Sequence, residues 1–434
     1  MNGERFEHVL NAASSVLGNI WSGQETVRVN IPNANPRHST ERQQLLFADR
    51  CVLELFIEYG RRLLNGISPE EAGRNRIRNF FKYRQKMLSS PHFPKDNPFR
   101  FILRSTSTAK NVVLLMTHSC QLRCSYCSIG KFKADTPVSV IVGLLNAIVD
   151  SGQDRFHIQF FGGEPFIRFE TMKKTVKMAK NMPGNTIFSF GVNTNGVNLR
   201  DEMAVFCKKN NIMLDISCDG NEKTCSMSRN CASGSFSTVY SSIMRSMEIL
   251  KKEEVSHRVI MVVSPRTLPY MKDNFHYIQD LGHRNIQFNY SLGIEWGERD
   301  RDMFIRNLID LRKEAAQSGT KIVNFSSFRL EPAGLNAEIC CDCDGTLYRE
   351  TGLSIETSFA EAKRKFLEST VPTSQYFGMG AMTHADALWQ LLEIYGNDRK
   401  ILKIIMNNIE FGMRIGKIRM SVMRNKDGQV WDRE

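Results

Sequence analysis

At 434 residues the chain is long enough for two or three folded units with a sizeable core, which excludes a short peptide or a disulfide knot. Its 41% hydrophobic and 24% charged residues are globular values, not those of a disordered or fibrous chain. Lys and Arg total 58 against 46 Asp and Glu, and the net charge of +12 attracts nucleic acid, acidic lipid or acidic peptide without choosing among them.

The opening MNGERFEHVLNAASSVLGNIW carries Glu4 and Glu7 and lacks a basic leader and a continuous apolar core, so it does not read as a secretory signal. No stretch approaches the apolar length of a membrane span, and the expectation is a soluble, cytoplasmic protein without a membrane partner. The 11 cysteines then lie in a reducing compartment, where clustered thiols point to metal or redox chemistry.

Residues 1–108 read as a mostly helical amino-terminal domain suited to binding a partner or a leader peptide. Arg42 to Leu64 places apolar residues at helical spacing, and Ser68-Pro69-Glu70-Glu71 has the signature of a capped helix start. The helix that follows interleaves Arg74, Arg76, Arg78, Lys82, Arg84 and Lys86 with Phe80, Phe81 and Tyr83. We read it as a solvated basic face with its aromatics turned inward, the alternative being a nucleic-acid surface. The Pro-rich stretch Ser90 to Pro98 marks a boundary.

From residue 109 to 330 short apolar runs alternate with amphipathic helical segments, the pattern of βα units. Strands are expected at Asn111–Thr117, His157–Phe161, Thr186–Asn193, Ile212–Ser217, His257–Ser264 and Asn285–Leu292. The fold class is α/β: a partial, open six-stranded TIM-like barrel, because a closed one needs about 250 residues. Cys120, Gly162, Asn193 and Ser217 fall at the carboxyl ends of strands, the rim where such folds place chemistry. Residues 331–434 read as a small α+β extension. It starts with a hairpin from Ala337–Asp342 to Thr346–Arg349, continues in helices and ends in a strand at Lys417–Val422.

The sharpest motif is Cys120-Gln-Leu-Arg-Cys124-Ser-Tyr-Cys127, directly after the first barrel strand. Three thiolates on one loop hold a 4Fe-4S cluster by three irons and leave the fourth open. Zinc would require a fourth protein ligand, for which His118 is a weak candidate, and pairing Cys124 and Cys127 with Cys341 and Cys343 would leave Cys120 without a role.

This motif, including the aromatic before its last cysteine, resembles that of the radical S-adenosylmethionine (SAM) superfamily. Phe161-Gly162-Gly163-Glu164-Pro165 resembles that superfamily's glycine-rich segment, which binds the cofactor's amino group. Val192-Asn193-Thr194-Asn195-Gly196 and Ser217-Cys218-Asp219-Gly220 are similar to its ribose- and carboxylate-binding segments. The resemblance implies SAM contacts at Tyr126, Gly162, Gly163, Glu164, Asn193, Ser217, Arg229 and Tyr290, with Arg229 forking onto the cofactor's carboxylate. It also implies one 4Fe-4S cluster on Cys120, Cys124 and Cys127, reductive cleavage of SAM to a 5′-deoxyadenosyl radical, and a donor such as flavodoxin or ferredoxin.

Gly234-Ser235-Phe236 and the Cys340-Cys341-Asp342-Cys343 hairpin further resemble the SPASM and twitch enzymes, which modify ribosomally made peptides or protein side chains. No cysteine follows Cys343, so an auxiliary Fe-S cluster is the disfavoured alternative. On strand alternation Cys341 and Cys343 share a face that Cys340 does not. Cys51, Cys207 and Cys218 read as structural. The expected activity is a peptide or protein maturase of this radical class. The alternatives are a radical enzyme acting on RNA, a nucleotide or a small metabolite, and a non-catalytic zinc-binding regulatory module.

Overall fold

A computed structural model describes residues 53, 55–75, 77–78, 111–325, 335, 338–349, 351, 355, 358–377 and 384–424. The chain forms two compact units, one of residues 1–108, 335–337 and 379–406, the other of residues 109–334, 338–378 and 407–434. The stretch 331–434, expected as one extension, is shared between them.

In the first unit, helical residues 55–64 bury Leu55, Phe56, Tyr59 and Leu63, the apolar positions of the helical repeat. Trp389, from the helix His384–Tyr395, packs its ring against Phe56 and Tyr59 at 5.6 and 5.4 Å between centroids. Ser68 caps the short helix Pro69–Ala72, its Oγ accepting from the Glu71 amide at 3.4 Å. Arg74 and Arg78, drawn from the basic run, both donate to Glu393, at 3.0 and 3.1 Å. Arg76, Phe80, Phe81, Lys82, Tyr83, Arg84 and Lys86 lie outside the described residues, as do Cys51 and the Pro-rich stretch.

Among its described residues the second unit holds twelve strands: β1 (Asn111–Thr117), β2 (Leu122–Cys124), β3 (Arg155–Gly162), β4 (Ile187–Thr194), β5 (Met213–Ser217), β6 (Arg229–Cys231), β7 (His257–Val263), β8 (Asn285–Tyr290), β9 (Lys321–Ile322), β10 (Ile339–Cys341), β11 (Leu347–Arg349) and β12 (Leu367–Ser369). All six expected barrel strands are present. They form the middle of a ten-stranded sheet, ordered β12-β11-β10-β1-β3-β4-β5-β7-β8-β9, which does not close on itself. Pairing is parallel from β10 to β9 and antiparallel in the β10-β11-β12 meander. The expected hairpin is therefore no separate layer: β10 extends the barrel sheet along β1, with Val113 opposite Cys340.

Strand alternation separates the two faces. Phe156, Ile158 and Phe160 of β3 are buried in the main core with the helices Val138–Asp150 and Phe169–Lys180. The register places His157 and Gln159 on the other face, beside Ser189 and Gly191 of β4, and continues it through Asn193, Asp215 and Arg258 to Gln287 and Asn289. Between β3 and β8 this inner face carries a polar set beside Ile260 and Val262, and it turns apolar toward β1, where Val113, Leu115 and Phe161 share it. The polar side chains bond to each other: His157 to Ser189 at 3.0 Å, Gln159 to Asn193, Arg258 to both oxygens of Asp215 at 2.6 Å, and Gln287 to Asn289 at 3.0 Å.

The strand expected at Lys417–Val422 is instead the end of the helix Arg399–Arg424. Six alternating residues fit either period, and here they prolong a helix whose buried Leu402, Ile405, Met406 and Ile409 repeat every three or four positions. Among the described residues no helix is long and apolar enough to cross a membrane.

Candidate active site at the carboxyl rim of the sheet

The three motif cysteines sit on the loop that leaves the carboxyl end of β1. Cys120 lies three residues past the strand, Cys124 ends β2, and Cys127 is exposed in the turn beyond. The loop is held along its length by the segment around β6. Leu122, Arg123 and Cys124 pair antiparallel with Cys231, Asn230 and Arg229. The Ser125 amide donates to the Ser228 carbonyl and the Ala232 amide to the Gln121 carbonyl, both at 2.8 Å.

Cys120 Sγ accepts from the Leu122 amide at 3.4 Å and from Asn195 Nδ2 at 3.5 Å. Burial pushes the Cys124 thiol up to about 11, Arg229 pulls it down, and the neighbouring sulfurs and Asp219 push it further up. Burial and the neighbouring sulfurs thus disfavour the charged form of Cys124, a bias that a bound cation would offset, and thiols brought together on one loop are a fitting donor set for a metal centre.

Gly162 and Gly163, expected to contact the cofactor, are required here by close backbone approach. Gly162 has φ +119°, and a Cβ there would lie 2.4 Å from the Thr117 carbonyl oxygen; one on Gly163 would lie 2.1 Å from that of Ser119. The Gly163 amide donates to the Thr117 carbonyl at 2.7 Å and the Glu164 amide to the Ser119 carbonyl at 2.9 Å. The glycines therefore seat this turn against the backbone that leads into Cys120. Glu164 is fully buried and accepts from the Phe166 amide at 3.1 Å, Thr194 Oγ1 at 2.9 Å and the Asn195 amide at 2.8 Å. Burial drives its carboxyl up to about 7, against the pull of those donors. It braces the ends of β3 and β4.

Arg229 was expected to fork onto a cofactor carboxylate. One edge of its guanidinium is taken: Nε and Nη2 donate to the two oxygens of Asp219 at 2.9 and 3.0 Å, with 2% of the arginine and 3% of the aspartate exposed. Tyr126 donates its hydroxyl to the same carboxylate at 3.1 Å and stacks its ring under the guanidinium. Burial holds the Tyr126 phenol well above its usual range. Ser217 ends β5 half-buried on the inner face, and Asn193 shares that face.

Tyr290 departs from its expected role. It lies on the helix-facing side of β8 with Ile286 and Phe288, donates to the Asn408 carbonyl at 3.0 Å and packs against Phe411 at 4.7 Å. Asn289, its neighbour, occupies the inner face. Sequence reasoning also missed Asn195 and Asp219. Both stand just past the ends of the strands it had identified, within the segments it quoted, and position relative to the strand end was the available signal.

In the β10–β11 hairpin, Cys340 and Cys343 share one apolar cluster with Val113 and Leu115, while Cys341 belongs to the main core. This corrects the expected pairing of Cys341 with Cys343, because β10 ends at Cys341 and the two-residue period stops there. His118 Nε2, Asp342 and Cys343 converge within 4.8 Å, but Lys363 Nζ already donates to Asp342 Oδ2 at 2.6 Å, so the carboxylate has a cation partner. Cys207 and Cys218 are buried, as expected.

Residues 114–278 match the family model described as Radical SAM superfamily. An uncharacterized protein of Methanocaldococcus jannaschii is 26% identical over 42% of this chain and 62% of its own length. The cysteine-type anaerobic sulfatase-maturating enzyme of Clostridium perfringens is 22% identical over 52% of this chain and 66% of its own. The chain thus spans less than two thirds of these relatives. A solved structure described as native anSMEcpe with bound AdoMet and Cp18Cys peptide superposes with a TM-score of 0.52 at 19% identity, over 62% of this chain and 80% of that one, a likeness of fold. Residues 114–278, which run from β1 through the helix Met271–Asp280 and include the cysteine loop and the glycine turn, are a radical SAM domain.

Proposed function

We propose that the protein is a radical SAM enzyme that takes a hydrogen atom from a side chain of a peptide or protein. The observation that carries this reading is the Cys120–Cys127 loop, seated by Gly162 and Gly163 and splinted by β6 at the carboxyl rim of a radical SAM domain. Cys120, Cys124 and Cys127 would hold a 4Fe-4S cluster, which supplies the single electron that splits SAM and so gives a hydrogen-abstracting radical. The Asn195 side-chain amide bonds Cys120 Sγ, Asn193 and Ser217 lie on the inner face, and these two with Tyr126 are assigned to SAM contact. An external one-electron donor of the flavodoxin or ferredoxin class completes the scheme.

The inner face supports a peptide as substrate. Arg258 and Asp215 neutralise each other there, and Gln159, Asn193, Gln287 and Asn289 offer amide donors and acceptors, which match the groups of a peptide chain. The relative from Clostridium perfringens is a sulfatase-maturating enzyme, and the superposed structure carries a peptide. The RNA reading is weakened because Arg74 and Arg78, two cations of the basic run, are paired with Glu393.

The test is anaerobic reconstitution with iron and sulfide, to about four irons per chain, followed by dithionite and SAM. The expected products are 5′-deoxyadenosine and methionine, absent from the Cys124→Ala protein. A colourless, zinc-loaded chain that leaves SAM intact would remove the radical reading. Mass change in peptides encoded beside the gene separates a peptide substrate from a small metabolite.

A further inference from the structure

We propose that Asp219 is a positioning residue that sets the shape of the Cys120–Cys127 loop, acting through Arg229 and Tyr126. Its carboxylate is the point where four parts of the chain meet. It accepts from Arg229 Nε and Nη2 at 2.9 and 3.0 Å, Ser228 Oγ at 2.9 Å, the Val262 amide at 2.9 Å and the Tyr126 hydroxyl at 3.1 Å. These donors come from β6, the end of the preceding helix, β7 and the cysteine loop itself.

The geometry follows from the backbone. Arg229 is the residue of β6 that pairs with Cys124, so fixing the guanidinium fixes the strand that splints the thiol. Tyr126 lies between Cys124 and Cys127, so fixing its hydroxyl fixes the turn that connects them. A carboxylate 3% exposed is tolerated only because its oxygens are saturated by a guanidinium fork and neutral donors. Removing its charge leaves a buried arginine without a counter-ion, and the structural consequence falls first on β6 and the loop paired with it.

The purpose of the loop rests on the reading above, but the test observes the loop directly and is independent of SAM chemistry. Amide hydrogen exchange is followed by mass spectrometry on the full-length reduced chain, before iron is added. In Asp219→Asn, residues 121–127 are expected to exchange about tenfold faster while β3 keeps its protection, the signature of local opening. Tyr126→Phe, which removes one bond and no charge, should raise exchange of the same segment by a smaller factor.

Asp215→Asn breaks a second carboxylate–arginine fork of the sheet, with half-buried Arg258, and should leave residues 121–127 within about twofold of the parent. After reconstitution Asp219→Asn should retain less than half of the parent's iron. If Asp219→Asn loses protection in β3 as well, Tyr126→Phe decides: faster exchange confined to the loop upholds the role, and parental exchange overturns it. Equal loosening of the loop by Asp215→Asn, or an unchanged loop in Asp219→Asn, also overturns it.

Discussion

The Asn195 side-chain amide donates to Cys120 Sγ at 3.5 Å, tying the loop after β4 to the first thiol of the loop after β1. The same amide donates to Gln121 Oε1 at 3.2 Å, and the Asn195 backbone amide is held by Glu164. Hydrogen bonds to a ligating sulfur and outer partners of a metal site tune potential and affinity. Asn195→Ala should therefore lower iron retention or SAM cleavage about 10- to 100-fold while leaving the thermal transition within a few degrees. Iron content after desalting and the 5′-deoxyadenosine rate check this; parental values for both refute the bond's role.

Gly163 and Gly143 make opposite predictions for the same substitution. A Cβ at Gly163 would fall 2.1 Å from the Ser119 carbonyl oxygen, a backbone atom that moves only if the cysteine loop moves. Gly163→Ala should destabilise by roughly 1–3 kcal/mol and reduce iron loading. Gly143 lies inside the helix Val138–Asp150 with nothing within 4 Å of its Cβ position. Gly143→Ala should stabilise by about 0.5–1 kcal/mol. Urea midpoints of the two variants that move in the same direction would contradict this assignment.

Glu164 accepts from three donors at the junction of β3 and β4. In Glu164→Gln one carboxylate oxygen becomes an NH2 that faces a donor, whichever way the amide turns. The cost of leaving such a buried donor unsatisfied is about 1–3 kcal/mol. Differential scanning calorimetry should show a lower transition temperature, and an unchanged one would mean the site relaxes around the amide.

The barrel strands were legible because each combines a β-branched or aromatic run with the spacing of a βα unit, and the rim followed from their carboxyl ends. The inner and outer faces of β8 were legible too. Ile286, Phe288 and Tyr290 alternate with Gln287 and Asn289, so the polar set marks the inner face and Tyr290 belongs to the other. What sequence did not carry was partnership. Nothing in the spacing from Ser217 to Arg229 says that the arginine's fork is taken by Asp219, because that contact is made across a loop and a helix. Likewise, alternation beyond Cys341 holds only while the strand continues, and the antiparallel turn at Asp342–Gly345 ended it.

The pair His257 and His283 makes stability fall on the acid side. His257 Nδ1 donates to the Val255 carbonyl at 2.7 Å, which leaves Nε2 of the neutral ring to accept from His283 Nδ1 at 2.8 Å. Burial, the neighbouring His257 and the nearby Lys251 and Arg284 push His283 down to about 3, and burial lowers His257 as well. In the unfolded chain both rings take up protons near pH 6.5. Below that pH the unfolded state binds protons that the native pair refuses, so stability is full above about 6.5 and is lost as the pH falls toward 3. For His283 alone the loss between pH 6.5 and 4.5 is about 2–3 kcal/mol at 1.36 kcal/mol per unit. His283→Asn keeps a donor toward His257 and removes this titration. Urea unfolding of the full chain at pH 7.5 and 4.5 should show a smaller acid loss in the variant than in the parent. Parallel losses would mean that carboxylates elsewhere, and not this pair, govern acid sensitivity.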